Sequence, residues 1–295
     1  VTNSISVVAA VQSPTLLNIL GRSQEWSFRA MPLGDHEGLQ EVSMLTVPTW
    51  DPHRDRMPEI VLVCSPEHYQ RASRFWPDAK LLWVIHNGYE RHILPTEYEG
   101  RIAGAVCFSH MVRWLASVDR DKIPFHFISP AYEADPVWSW APSKLWSLRS
   151  RPSTRNDDRN TIIPAITRGL SHTAYGQDQP AGFATGAKKA ELLSSCSGFL
   201  SALPRSAGFG LAEHEAFAAG VPVVGGWWGD VREEMSPEYW ALSDDLRHMA
   251  EASRRLCERP DGAQELSQMG LDYVRKYRSA ARMDETIRDL VSRYG

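Results

Sequence analysis

The sequence predicts an α/β protein built as two doubly wound domains, and two observations predict it. Short, β-branched apolar runs alternate with longer amphipathic segments along most of the chain, which is the pattern of parallel strands covered on both faces by helices. The alternation breaks over residues 134–160, where Pro136, Pro142 and Pro152 accompany three tryptophans and the polar run RSRPSTRNDDRN. Prolines and polar runs punctuate regular structure, so the chain is expected to divide there into an N-terminal domain (1–140), a linker (141–158) and a C-terminal domain (159–278), with a cleft between the domains and a last helix over 279–295.

In the first half, ISVVAAV (5–11), VSMLTV (42–47), EIVLVC (59–64), KLLWVIH (80–86), GAVCFS (104–109) and FHFIS (125–129) read as buried strands. Ser65 followed by Pro66 reads as an N-cap and first helical position. Ser109 to Val118 carries Met111, Val112, Leu115 and Val118 at helical spacing. In the second half TIIPAIT (161–167) reads as the first strand of the domain. KKAELLSSC then reads as a helix, GFLSALP as a strand, FGLAEHEAFAAG as a helix and VPVVGG as a strand. Helices are expected over Asp244–Glu258, Ala263–Tyr277 and Ala281–Tyr294.

Composition excludes several classes. The 295 residues are 43% hydrophobic and 23% charged, enough for a substantial core without disulfide or metal staples. A net charge of −4 argues against non-specific nucleic-acid binding, which needs a basic balance. Cys64, Cys107, Cys196 and Cys257 lack the spacing of a zinc knuckle or redox pair and suit a reducing, cytoplasmic compartment. The N-terminal VTNSISVVAAVQSP reads as a strand, not a signal peptide. No run approaches the roughly 20 apolar residues of a membrane span.

The segment richest in chemistry is LPRSAGFGLAEHEAFAAGVPVVGGWWGDVREEM (203–235). A strand ending near Leu203, a turn with Gly208 and Gly210, and a helix closed by Gly220 make an anion site: backbone N–H groups point outward and the helix dipole adds partial positive charge. Glu215, about one and a half turns along, offers a carboxylate for two vicinal hydroxyls, such as those of a ribose. Taken alone, such a glycine turn also serves many α/β proteins as plain structure.

As a block, GFGLAEHEAFAAGVPVV resembles the donor-binding signature of retaining GT-B glycosyltransferases of the Glu-x7-Glu (family 4-like) group. Gly208, Phe209, Gly210, Leu211, Glu215, Ala216, Gly220, Pro222, Val223 and Val224 match it, and GDVREEM resembles the group's Gly-Gly-x-x-Glu turn with Asp230 for the second glycine. The resemblance implies two Rossmann-like domains facing a central cleft. It also implies transfer of a sugar from a nucleotide-sugar donor, a final helix packed back across the domain junction, and neither cofactor nor metal. It assigns Gly208, Phe209, Gly210, Leu211 and Glu215 to donor binding, with Glu215 on the ribose.

Two positions depart from the pattern. Ala207 stands where the group has its first glutamate, which contacts the transferred sugar. The Arg and Lys that neutralise the diphosphate after the domain's first strand are represented, behind TIIPAIT, by Arg168 alone. Lys188 and Lys189 read as solvated surface.

In the first half His86 follows a buried strand at the end where open sheets bind ligands, and a similar histidine in the group contacts the reacting sugar. His86 and Arg168 are therefore the catalytic candidates. The loop Gln12–Thr15 lies at another strand end facing the cleft and lacks the Gly-Gly that many relatives use there. Asp35, His36 and Glu37, and likewise Asp51 and His53, are polar loop positions, one of which could serve as general base were the enzyme inverting. No Asp-x-Asp or His-Glu-x-x-His motif suggests a metal.

The acceptor stays open: a small molecule, a glycan or modified DNA. The DNA alternative comes from Trp138, Trp140 and Trp146 beside Arg149, Arg151, Arg155 and Arg159, rings and cations able to stack bases and hold phosphates. A further alternative, raised by Ala207, is an inactive GT-B binding or scaffold protein.

Overall fold

Six parallel strands open the structure, a computed structural model that describes residues 6–10, 18–31, 47–85, 98, 100–109, 123–148, 158–176, 179–201, 210–227 and 229–294. They are β1 (Ser6–Ala10), β2 (Ser27–Ala30), β3 (Ile60–Val63), β4 (Lys80–Ile85), β5 (Gly104–Cys107) and β6 (Phe125–Phe127), in the order β2-β1-β3-β4-β5-β6. Successive side chains of a strand point to opposite faces, and β3 shows why the run IVLV has no polar position. Ile60 and Leu62 pack in one core with Val84 and Val106. Val61 and Val63 pack in the other with Trp83, Ile85, Tyr69 and Trp76. Tyr69 lies on α1 (Pro66–Phe75), whose N-cap Ser65 accepts a hydrogen bond from the His68 N–H. Cys64, half-buried, lies 3.3 Å from His68 Nδ1.

The opposite face of this sheet is covered from the far end of the chain. Helix α8 (Ala280–Tyr294) buries Met283, Ile287, Leu290 and Val291 against Val7, Leu62 and Val106, at the i, i+4, i+7 and i+8 spacing of an amphipathic helix. Its last turn is held where Tyr294 Oη meets His126 Nε2 at 2.6 Å and donates to the Ala103 carbonyl at 3.1 Å. One compact unit therefore comprises residues 1–132 with 278–295, and the other residues 133–277.

The second unit contains a parallel sheet in the order β10-β9-β7-β8, made of β7 (Ser139–Leu148), β8 (His172–Tyr175), β9 (Ser195–Leu200) and β10 (Val223–Val224). Its helices are α2 (Asp158–Ile166), α3 (Gly186–Ser194), α4 (Leu211–Ala218), α5 (Asp230–Glu234), α6 (Leu246–Glu258) and α7 (Pro260–Tyr277). Both units are Rossmann-like.

Two expectations are corrected. Residues 141–148, expected as linker, are an inner strand. Pro142 can sit there because the β7–β9 register slips between Trp140 and Leu145. Ser143 takes φ +54° in the slip. Ser197 Oγ fills the gap, donating to the Ala141 carbonyl at 2.6 Å and accepting from the Lys144 N–H at 3.0 Å. TIIPAIT, expected as a strand, belongs to α2: Ile163 and Ile166 are buried while Pro164 and Ala165 are exposed, a helical spacing. Periodicity cannot separate helix from strand over so short an apolar run. Strands β2 (SFRA) and β8 (HTAY) mix polar and apolar residues and carry no continuous apolar run. VSMLTV up to residue 46 and the expected helix from residue 110 lie outside the described residues.

Candidate functional site

In the second sheet, β8 lies on one side of β7 while β9 and β10 continue on the other. In open α/β sheets, ligands bind beyond the carboxyl ends of the strands at such a reversal of order. The relevant strand ends are Leu148 of β7 and Leu200 of β9, and it is from β9 that the chain leads into α4.

Helix α4 has Gly210 as its N-cap, extended at φ −85° and ψ 173°, a residue with no side chain of its own to cap the first N–H groups. It ends in a Schellman motif: the Gly220 N–H donates to the Phe217 carbonyl at 3.0 Å and the Val221 N–H to the Ala216 carbonyl at 2.8 Å. Gly220, at φ +83°, supplies the left-handed residue this motif requires, and Pro222 prevents the helix from continuing. The eight-residue length is thus set by the sequence, and it fixes which turn each acidic residue occupies.

Glu213, in the first turn, is buried and accepts a 2.6 Å hydrogen bond from Ser201 Oγ, just past β9. His214 is buried beside it, with Nδ1 2.8 Å from the Gly210 carbonyl and Nε2 3.2 Å from Tyr273 Oη, which in turn donates to Glu234. Glu215, in the second turn, is only partly covered and forms an ion pair with Lys189 of α3. Close to β10, Gly225 lies against Ser201, whose Cβ would stand 3.0 Å from any Cβ added there. Gly229 N-caps α5 at φ +67° and ψ −148°, a combination essentially confined to glycine. It begins the GDVREEM turn.

Of the donor-binding candidates, Gly210, Leu211 and Glu215 share α4 and its cap. Gly208, Phe209 and the catalytic candidate His86 lie outside the described residues. So do Gln12–Thr15, Asp35, His36, Glu37 and Ala207. Arg168 follows α2, a helix and not the strand expected before it, and is exposed in a turn with Gly169 at φ +77°. A cation there complements the negative end of a helix and does not stand at a strand end. The strand first in this sheet's sequence is β7, and the residues after Leu148 in the chain are Arg149, Ser150 and Arg151, outside the described residues. Once β7 is known to be a strand, those two arginines are the signal that identifies the candidate pair.

Other expectations resolve as structure. Asp51 Oδ1 accepts from the His53 N–H at 2.9 Å and the Asp51 N–H donates to Asp55 Oδ2 at 2.8 Å, so Asp51 organises a turn. Trp146 is core, its ring 4.7 Å from that of Phe199. Trp138 and Trp140 donate their indole N–H groups to the carbonyls of Cys196 (2.9 Å) and Leu256 (2.7 Å). The rings of the supposed DNA-stacking stretch are therefore held by the second unit's own interior and backbone. Burial pushes the Cys196 thiol up to about 11, an inert thiol at neutral pH. Among the described residues no three His, Cys, Asp or Glu side chains group as a metal site, and no helix is long and apolar enough to cross a membrane.

No family model matches the chain, and no curated protein matches it. Solved structures do. HepE of Anabaena, solved with UDP-glucose, aligns at a TM-score of 0.70 and 12% identity, over 98% of this chain and 99% of that one. A glycosyltransferase of Rickettsia africae aligns at 0.66 and 12%, over 99% of each chain. TarM of Staphylococcus aureus, solved with UDP and α-GlcNAc-glycerol, aligns at 0.63 and 13%, over 78% of this chain and 55% of TarM, so this chain spans about half of TarM's length. The chain has the GT-B fold of these glycosyltransferases.

Proposed function

We propose that this chain is a nucleotide-sugar-dependent glycosyltransferase whose second unit binds the donor. The observation that carries the reading is the β9–α4–β10 unit. Its helix has a glycine N-cap, and its first turn is bonded through Glu213 to Ser201, just past the carboxyl end of an inner strand beside the reversal of strand order; a second carboxylate follows in the second turn. Fold neighbours solved with UDP or UDP-glucose support the same class of donor.

Charge dictates the remaining roles. Breaking the glycosidic bond to a nucleoside diphosphate builds negative charge on the departing phosphates, and catalysis comes from groups already oriented toward that charge. The N–H groups of the first turn of α4 supply part of it. Arg149 and Arg151, next in the chain after β7, supply the rest. Glu215 accepts the ribose hydroxyls. His86, which follows β4 in the chain, contacts the reacting sugar, and the first unit takes the acceptor. The sugar is transferred with retention, as the block Gly208–Val224 implies through its resemblance to retaining enzymes. The donor phosphate oxygen then takes the acceptor proton, and no dedicated protein base is needed. Ala207 removes one carboxylate contact to the donor sugar and so shifts sugar preference.

The test is release of nucleoside diphosphate from UDP-, GDP- and ADP-sugars, with and without glycan and small-molecule acceptors. Release from one nucleotide class, lowered at least about 10-fold by Arg149→Ala or Arg151→Ala, is the expected result. Binding without release from any donor would favour a scaffold protein instead.

A further inference from the structure

Helix α3 buries none of its side chains, and its two adjacent lysines behave differently. Lys188 pairs with Glu191 one turn along, at 3.0 Å, both half in solvent, an arrangement worth little. Lys189 instead reaches across to α4 and pairs with Glu215 Oε2. The two side chains are only 28% and 22% exposed. One lysine of the pair is therefore spent on the single carboxylate to which the ribose of the donor is assigned.

The chemistry of the two groups gives that pairing a use. A carboxylate only accepts hydrogen bonds, through two oxygens, whereas an ammonium only donates, through three N–H groups. Among the described residues this bond leaves Oε1 and the second lone pair of Oε2 on Glu215, and two N–H groups on Lys189, for other partners. A sugar hydroxyl both donates and accepts, so it satisfies the two residues together. A hydrogen in its place satisfies neither, and a site built to bond a hydroxyl rejects the analogue lacking it because its polar groups are then left short of partners.

We propose that Lys189 is a specificity-determining residue that, with Glu215, forms a donor–acceptor pair selecting ribonucleoside over deoxyribonucleoside diphosphates. The proposal rests on the reading that Glu215 faces the donor's ribose. It makes a prediction that a purely structural tie between α3 and α4 does not. Loss of the tie would weaken every nucleotide alike, whereas loss of half the pair reduces the ratio between a ribonucleotide and its deoxy counterpart.

Calorimetric titration of the full chain with UDP, GDP and ADP, each against its 2′-deoxy and 3′-deoxy forms, measures that ratio in the wild type and in Lys189→Met, Lys189→Gln and Glu215→Gln. A preference of about 10-fold or more is expected in the wild type for the nucleotide that binds and for at least one of the two hydroxyls. It should fall several-fold in either Lys189 variant as well as in Glu215→Gln. Unchanged circular dichroism and cooperative melting qualify each variant, and the glutamine variant serves if the methionine one fails to fold. A preference lost in Glu215→Gln but kept in both Lys189 variants overturns the role of Lys189 and leaves the Glu215 reading standing. A preference absent from the wild type, or kept in Glu215→Gln, overturns both, as does a wild type that binds none of the six deoxy or three ribo forms.

Discussion

His214 and Tyr273 stack at an interplanar angle of 18°, and the imidazole Nε2 lies 3.2 Å from the phenol oxygen. The carbonyl of Gly210 can only accept, so the 2.8 Å contact to Nδ1 places a proton on that nitrogen. Tyr273 has one proton to share between His214 and Glu234. The cap residue of α4 is thereby linked through two buried rings to α7 and then to α5.

Tyr273→Phe keeps the stacked ring and removes the hydroxyl from both neighbours. Withdrawing a hydrogen-bond partner from buried polar groups costs about 1–3 kcal/mol. Urea denaturation should show a lower midpoint with an unchanged slope. An unchanged midpoint would mean the hydroxyl contributes nothing to holding the first turn of α4.

The same helix is seated on α7 through a glycine. A Cβ on Gly270 would stand 2.6 Å from Phe217 Cδ1, in a ring that is fully buried. Alanine is favoured over glycine in a helix by about 1 kcal/mol, but overpacking a core costs about 1–3 kcal/mol and wins here. Gly270→Ala should lower the melting temperature by several degrees, and a rise would show that α4 can move aside freely.

In the first unit, acid sensitivity has a local source. Burial alone would raise the Asp55 carboxyl. The Asp51 N–H and the Arg29 guanidinium, the latter at 2.9 Å, outweigh it and hold the group below the usual carboxylate range. A depressed folded value means that this stabilisation is present above the unfolded value, about pH 4, and is lost as pH falls through the folded one. Urea midpoints between pH 2 and pH 6 should therefore fall less steeply for Asp55→Asn than for the wild type, with a difference above pH 5 of about 1 kcal/mol at most. Parallel profiles would contradict the assignment.

Legibility from the sequence followed how strongly each segment was patterned. IVLV of β3 and the Gly220–Pro222 helix stop are recognisable because burial on both faces and a left-handed glycine each leave a distinct residue pattern. β7 was hidden because its slip tolerates Pro142 and Ser143 and because its tryptophans look like a surface stretch. The register with β9 sets Trp146 opposite Phe199 in the core, while Trp140 stays half-buried. Because β7 is the first strand of its sheet, the chain positions that follow that strand are Arg149, Ser150 and Arg151, while Arg168 follows a helix. Lys189 was indistinguishable from Lys188, since adjacent lysines on an exposed helix differ only in what lies across from them.

On the proposed function, the first turn of α4 and Glu215 bind a nucleoside diphosphate. Thermal unfolding in the presence of UDP, GDP or ADP tests it most directly, because a ligand of the native state at 100 times its Kd adds about 2.7 kcal/mol of stability. At least one of the three should raise the melting temperature by several degrees, and Glu215→Ala should abolish the shift. No shift with any of them, or an equal shift in Glu215→Ala, would contradict it.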